Sequence, residues 1–324
     1  MGDTLMANIA VLMPIYNDSE PAAIVLRQLA QSIAPFGTAS FLVVDDGSIP
    51  AIRCEDLGHP AGCRLSILTL RRNLGHQRAI ATGLSHLAER LDVDAVLVMD
   101  ADGQDRIEDV PVLLRAWCNS GGASVVFAAR TRRSEILMFR LFYQIYRVLH
   151  WLLTGVPVKF GNFSVLPSRF VSRLVVSSEL WNHYAASVVK TKLPYVSVPT
   201  MRGRRLAGKS HLHFVALVVH GLSALSVFSE VLGVRLLVAS AVSLALMLAT
   251  TATVLGAQAL GLGAFPEWAV IGGVVLLGVG LLAVTACSLL AVVVLGRRSG
   301  ADFIPARDCR LFVEAVHECS GPHS

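Results

Sequence analysis

Short, unbroken apolar runs alternate with longer amphipathic stretches through the first 130 residues, and polar positions then thin out sharply beyond residue 211. Asn8–Pro14, Phe41–Val44, Leu65–Leu70, Ala95–Met99 and Ser124–Ala128 are dominated by Val, Ile, Leu and Ala, with little polar alternation. Strands read this way when both faces of their sheet are covered, because neither side meets water. Between them, Ser19–Ile33, His76–Arg90 and Glu108–Cys118 carry apolar residues at helical spacing. Ser19 is the expected N-cap of the first helix, with Pro21 in its first turn. The alternation predicts an α/β domain with a mostly parallel sheet and helices on both faces.

The later pattern is different. From Leu236 to Gly296 the only formal charge is Glu267. A helix needs about 20 apolar residues to cross a bilayer, and Leu236–Leu255 and Ala269–Gly296 both qualify. Neither shows the polar stripe of a helix in a soluble core. The expected organisation is therefore a soluble domain over 1–210, an interfacial amphipathic helix over 211–230, and a membrane anchor over 231–296. Its transmembrane helices are expected at about 236–255 and 269–296, followed by a tail over 297–324. The stretch Leu212–Ser229 is assigned to the interface because His213, His220 and several Ser and Gly residues interrupt it.

Charge sets the orientation. Arg202, Arg204, Arg205 and Lys209 precede the apolar pair, and Arg297, Arg298, Arg307 and Arg310 follow it. The connector Gly256–Trp268 has no Lys or Arg. Positive residues stay on the cytoplasmic side. A multi-pass protein of the cytoplasmic (inner) membrane is expected, with the soluble domain and both termini in the cytoplasm. The net charge of +5 suits anionic membrane lipid, and no nucleic-acid motif is present. Asp3 and Asn8 precede an apolar run, Ile9–Met13, that is too short for a secretory signal. The six cysteines form no CxxC pair and are expected as reduced thiols. Cys54, His59 and Cys63 are a weak zinc candidate without a fourth partner nearby.

Candidate chemistry lies at the strand ends. "PIYND" follows the first apolar run, "DDGS" the second, "RRNLGHQRA" the third and "DADGQD" the fourth. Ligands of such sheets bind beyond the carboxyl ends of the strands, whereas acids that only solvated turns would be spread over both edges. Asp100 and Asp102, separated by the small Ala101, are the expected metal ligands, with the Gln104 amide oxygen as an extra donor. A hard ion such as Mg²⁺ or Mn²⁺ takes oxygen ligands and bridges carboxylates to phosphates. It would offset the repulsion between the acids and stabilise a departing diphosphate. Asp105, with Glu108 and Asp109, is expected to favour the N-terminus of the next helix.

Together, "VLMPIYND", "LVVDDGS", "RRNLGHQRAIATGL" and "VMDADGQD", in this order, resemble a family 2 glycosyltransferase of the GT-A fold. No GxGxxG follows the first strand, which disfavours a dinucleotide-binding oxidoreductase. The resemblance implies that Pro14, Tyr16 and Asn17 border the nucleotide and that Asp46 hydrogen-bonds its base or ribose. It implies a loop around Asn73, Gly75 and His76 that closes on the nucleotide, with Asp100, Asp102 and Gln104 holding the metal. Gly75 also lets the backbone approach a ligand. Arg130, ending "SVVFAAR", would face a phosphate or remain a surface arginine.

"RRLAGKSHLHF" resembles the R-x-x-G-x-S-K segment of the dolichol-phosphate mannose synthase branch, which transfers sugar to a polyprenyl phosphate. Arg205, Gly208 and Ser210 match, and His211 stands where Lys is usual. This implies acceptor-phosphate binding by Arg205, Ser210 and His211, with a basic patch touching anionic headgroups as the other reading of the run. Asn162 of "FGNFSVLP" occupies a position where many relatives carry an acid. A phosphate acceptor, already largely anionic at neutral pH, needs no such base; for a hydroxyl acceptor, Asp102 and Glu179 are the remaining candidates. The Q-x-x-R-W hallmark of processive synthases is missing, so one sugar per event is expected.

The resulting expectation is an inverting, metal-dependent transfer from a nucleotide-sugar, such as a UDP-sugar, to a lipid-linked phosphate such as undecaprenyl phosphate, in cell envelope biogenesis. Two alternatives stay open. One is transfer to another lipid or glycan hydroxyl, and the other is a non-catalytic sugar-nucleotide-binding partner in envelope glycan assembly. Self-association into a homo-oligomer is also open.

Overall fold

The computed structural model describes residues 6–60, 62–90, 92–130, 137–156, 161–201, 203, 205–206, 214–261, 266–296 and 303–319. In chain order these form β1 (Ala7–Ile15), α1 (Ser19–Ile33), β2 (Gly37–Asp45), α2 (Cys54–Leu57), β3 (Arg64–Leu70) and α3 (His76–Ala88). There follow β4 (Ala95–Val98), α4 (Val110–Asn119), β5 (Val125–Arg130), α5 (Leu137–Thr154), β6 (Ser164–Pro167), α6 (Ser168–Val175), α7 (Tyr184–Lys190) and β7 (Tyr195–Thr200). The rest is helical, α8 (Phe214–Ser226), α9 (Ser229–Ala259), α10 (Glu267–Gly296) and α11 (Pro305–Asp308), closed by β8 (Val313–Cys319).

Contacts divide the chain into two units. The first comprises residues 1–140, 158–227 and 303–324, and the second 141–157 and 228–302. The first is built on an eight-stranded sheet in the order β7-β5-β6-β4-β1-β2-β3-β8. Most neighbours pair in parallel, while β6 runs antiparallel to β4 and β5, and β8 antiparallel to β3. Successive β1 side chains enter opposite layers, which explains the absence of polar alternation. Ile9, Val11 and Met13 pack in one core with Val25, Leu26 and Leu29 of α1 and Leu113 and Leu114 of α4. Ala10 and Leu12 face the other, with Ile80, Ala81 and Leu84 of α3 and Phe170, Val171 and Leu174 of α6. Each such fully buried large side chain contributes about 1.5–3 kcal/mol. The chain runs outward from β1 through β2 to β3, then crosses to the other side of β1 for β4. The crevice between the ends of β1 and β4 is thus a topological switch point, where α/β sheets bind ligands.

In the second unit, α9 and a central part of α10 (Ile271–Leu290) are long and apolar enough to cross a membrane, with mean hydropathies of 2.2 and 2.4. The 13-residue α8 of the first unit is about 20 Å long, too short to span a 30 Å hydrocarbon layer alone.

Four expectations need correction. The segment expected as a tail beyond the anchor supplies β8, whose Leu65↔Cys319 to Leu70↔Val313 register makes it an edge strand of the sheet. That pairing brings Cys319 to Cys54, and the two form a disulfide across 265 residues, so the cysteines are not all thiols; sequence spacing could not show a partner so distant. The zinc candidate fails with it, since Cys54 is consumed and His59 Nε2 lies 3.1 Å from the Cys319 carbonyl oxygen. Finally, α1 begins after Asp18 rather than being capped by Ser19.

Candidate active site

The β2 end supplies a deeply enclosed acid. Asp46 is 3% exposed, and its Oδ1 and Oδ2 accept from the backbone N–H groups of Leu74 at 2.7 Å and Gly75 at 2.9 Å. Burial pushes its carboxyl up to about 6, a rise restrained by those two N–H donors. Asp46 therefore spends both oxygens on holding the loop after β3. Asp45 fixes the neighbouring turn by accepting from Ser48 N and Ile52 N. Gly47 permits the two loops to meet, since a Cβ there would lie 2.6 Å from Arg72 C and Asn73 N. At Gly75 the requirement is conformational: its φ is +92° and a Cβ would meet nothing within 4 Å.

At the end of β1, Pro14 is buried while Tyr16 and Asn17 are exposed. Asn17 has a φ of 54°; its N–H donates to Ser48 Oγ at 2.8 Å and its Oδ1 accepts from Ile49 N at 3.0 Å. The ends of β1 and β2 are thereby tied into one rim. Asn73 is exposed beside it.

The β4 end holds the acid cluster. Asp105 is 3% exposed and accepts from Asp100 N at 3.0 Å, so it closes the turn rather than serving the next helix. Asp102 Oδ1 accepts from Gln104 N at 2.9 Å. A later segment lies along this turn: Gly203 N donates to Gln104 O at 2.9 Å, and Leu206 N to Asp102 O at 3.0 Å. That segment delivers Arg205, whose Nη2 lies 2.6 Å from Asp18 Oδ2 and whose Nη1 lies 3.4 Å from Asp102 Oδ2. All three side chains are less than one-fifth exposed, at 17%, 19% and 18%. Screening is weak at such burial, and the guanidinium offsets the repulsion that Asp18 and Asp102 would otherwise impose on each other.

His76 opens α3 and links the acids to the opposite wall. Its Nε2 lies 3.1 Å from Asp100 Oδ1 and 3.0 Å from Asn162 Nδ2. Removal from water disfavours its charged form, but Asp100 above all, with Asp105 and Asp46, outweighs this and raises its pKa. Gln77 Nε2 donates to Asn162 Oδ1 at 3.2 Å, and Gln77 Oε1 accepts from Tyr184 N at 2.8 Å. Tyr184 is fully buried, with its hydroxyl 2.8 Å from Ser164 Oγ. Asn162 is thus a polar link in this chain of contacts.

A divalent ion suits the donor chemistry of this edge. Asp100 and Asp102 offer hard carboxylate oxygens, the donor type such an ion takes. Among the described residues no group of three His, Cys, Asp or Glu is assembled for a metal. An ion that draws its remaining ligands from diphosphate and water needs no such group.

Other expected residues stand apart. Glu179 is ion-paired with Lys190 at 2.7 Å and accepts from Ser177 at 2.6 Å. Burial raises its carboxyl, but these partners outweigh that and hold it below the usual range. Arg130 closes β5 opposite Thr200; its side chain, like Ser210 and His211, lies outside the described residues. Asp18 and Gln77 were not anticipated. Asp18 could have been flagged only as the last residue of "PIYND".

Comparison with known proteins decides the family. The model for glycosyl transferase family 2 matches residues 10–172, just over half of the chain. The chain belongs to glycosyl transferase family 2. The matched span runs from within β1 through β6 and holds the Asp46-held loop and the acid cluster, whereas Arg205 and β8 lie beyond it. Among curated relatives, the uncharacterized glycosyltransferase YkcC of Bacillus subtilis (strain 168) is 25% identical over 235 residues, 68% of each chain. The undecaprenyl-phosphate 4-deoxy-4-formamido-L-arabinose transferase of Klebsiella pneumoniae is 24% identical over 218 residues, covering 65% of this chain and 64% of that one. Among solved structures, glucosyl-3-phosphoglycerate synthase from Mycobacterium tuberculosis, crystallised with Mn²⁺, UDP-glucose and phosphoglyceric acid, is similar at a TM-score of 0.48. It is 14% identical, over 70% of this chain and 80% of that chain. The family and the mostly parallel sheet with its acid-bearing edge make the protein a glycosyltransferase with a GT-A-type domain.

Proposed function

We propose that this glycosyltransferase moves one sugar from a nucleoside-diphosphate sugar to a lipid-linked phosphate of the polyprenyl-phosphate type, releasing the nucleoside diphosphate. UDP-sugars and undecaprenyl phosphate are the leading candidates. The polyprenyl-phosphate class is supported by relatives such as the Klebsiella enzyme, whose name carries that acceptor. The observation that carries the choice of a phosphate over a hydroxyl is the state of the two carboxylates that could deprotonate an alcohol. Asp102 is paired with Arg205 and Glu179 with Lys190, and Asn162 has no basic oxygen to accept a proton at neutral pH. A phosphate oxygen, anionic near pH 7, attacks without that help.

In this reading the nucleotide enters along the rim formed by Tyr16, Asn17 and the loop held by Asp46. Asp100 and Asp102 would hold Mg²⁺ or Mn²⁺ together with the donor diphosphate. When bound, the ion supplies charge stabilisation for the departing diphosphate. Arg205 is the residue that exchanges its carboxylate partners for phosphate oxygens; its planar fork matches either anion. Attack by the acceptor oxygen forms the new C1–O bond as the bond from C1 to the diphosphate breaks. In-line displacement inverts the anomeric centre. His76, in contact with both Asp100 and Asn162, orients the Asp100 carboxylate. The apolar helices α9 and α10 serve as the membrane anchor, with the soluble unit on the cytoplasmic side.

The test is product analysis by mass spectrometry. Purified full-length protein in detergent is offered a panel of sugar nucleotides with undecaprenyl phosphate or with a neutral glycolipid. A hexosylated lipid phosphate is expected, and transfer only to the neutral acceptor excludes the phosphate route.

A further inference from the structure

The loop after β3 is gripped from two directions, and only one grip lies inside the family-matched span. On one side stand Asp46 and Gly47, as described above. On the other stands the chain that follows α10. Beyond the register shift at Thr69/Leu70 in the β3–β8 ladder, Arg71 N–H donates to the Phe312 carbonyl oxygen at 2.9 Å. The next residue repeats the contact through its side chain, with the Arg72 guanidinium 5.8 Å from the Phe312 ring centre. Phe312 is itself held in an aromatic stack, 5.4 Å from Trp181 and 6.1 Å from Phe303, and those two rings lie 4.1 Å apart. Arg78, in the first turn of α3, lies 5.3 Å from the Trp181 ring. The stack therefore reaches both ends of the segment from Arg71 to Arg78, which includes Asn73, Gly75 and His76.

We infer that Phe312, backed by Trp181, is a positioning residue for nucleotide binding. By fixing Arg71 and Arg72 it sets where Leu74 and Gly75 meet Asp46, and so where Asn73 and His76 stand at the site. A segment that only filled the sheet edge would need β8 pairing, not an aromatic ring beside the loop. Leu311, its neighbour, is 74% exposed and provides an internal control. The inference rests on the nucleotide-sugar reading given above.

The experiment uses full-length protein in detergent carrying Phe312→Ala, Phe312→Tyr or Leu311→Ala, with UDP and Mn²⁺ as the probe. Calorimetry measures UDP affinity, and hydrogen exchange follows the Leu74 and Gly75 amides without nucleotide. Phe312→Ala is expected to weaken UDP binding at least 10-fold and to raise exchange at both amides at least 10-fold. Phe312→Tyr should stay within about threefold of wild type, and Leu311→Ala should change neither readout. Unchanged exchange at Leu74 and Gly75 in Phe312→Ala overturns the inference, as does UDP affinity within twofold of a wild type that binds. A wild type that binds no UDP, with exchange still raised in Phe312→Ala, instead sinks the choice of nucleotide and leaves the bracing role standing.

Discussion

Replacing Asp46 with Asn separates the stability of the fold from the geometry of the nucleotide loop. Asp46 ionises near 6 in the folded chain against an ordinary 3.8, so its ionisation there costs about 3 kcal/mol more than in water. The folded protein keeps this proton up to about pH 6, whereas the unfolded chain releases it near 3.8. Wild-type stability therefore falls as the pH rises between about 4 and 6, and the loss persists at neutral pH. Asn removes that cost. It also leaves one carbonyl oxygen where two carboxylate oxygens met Leu74 N and Gly75 N, and turns an N–H toward the other donor. Losing one charge-assisted hydrogen bond is worth about 1.5–3 kcal/mol, which roughly cancels the relief at pH 8. The apparent Tm should then stay within about 3 °C of wild type. Nucleotide affinity has no such compensation and should drop about 10- to 150-fold, at 1.4 kcal/mol per factor of ten. Thermal unfolding at pH 5 and pH 8, paired with UDP titration, measures both. Wild-type affinity in Asp46→Asn, or a Tm at pH 8 lowered by 10 °C or more, would refute the reasoning.

Other perturbations probe the remaining contacts. Arg205→Ala leaves Asp18 and Asp102 without their shared cation and should lower stability by about 1–3 kcal/mol. Adding Asp18→Asn should recover part of that loss in a double-mutant cycle, while sugar transfer stays down by about 100-fold or more. Glu179→Gln should retain kcat within about threefold, because an acid paired with Lys190 is not the base; a 100-fold loss would point to a hydroxyl acceptor. Cys319→Ser removes the link to Cys54 and should destabilise the sheet unit by about 2–5 kcal/mol, read from denaturant midpoints with and without reductant.

Much of this fold can be read from periodicity. β1 to β5 are dominated by apolar residues because most of their positions are buried on both faces, and α1 matches its expected limits of Ser19–Ile33. The short β6 and the exposed edge strand β7 lack that signature. β8, "VEAVHEC", lies beyond two long apolar helices, and its partner β3 ends more than 240 residues earlier. No local pattern announces such a pairing, and the Cys54–Cys319 link was invisible for the same reason. The site divides the same way. The motifs put acids and glycines at the strand ends because βα loops are local, and the structure brings Asp46 to Leu74 and Gly75, and Asp100 to His76. The counter-charge was harder to identify. Three close acids predict a cation, but in the described residues the group between Asp18 and Asp102 is the guanidinium of Arg205, 103 residues from Asp102. Only the folded chain shows which acids a distant arginine will reach.

The most direct test of the account is calorimetric titration of UDP into the full-length protein in detergent, with Mn²⁺ present or with excess chelator, for wild type and Asp102→Asn. Binding that requires the ion in wild type, and that weakens at least tenfold in Asp102→Asn, is predicted. Equal binding with the chelator, unchanged by the substitution, would contradict a site in which Asp100 and Asp102 hold the donor diphosphate through a metal.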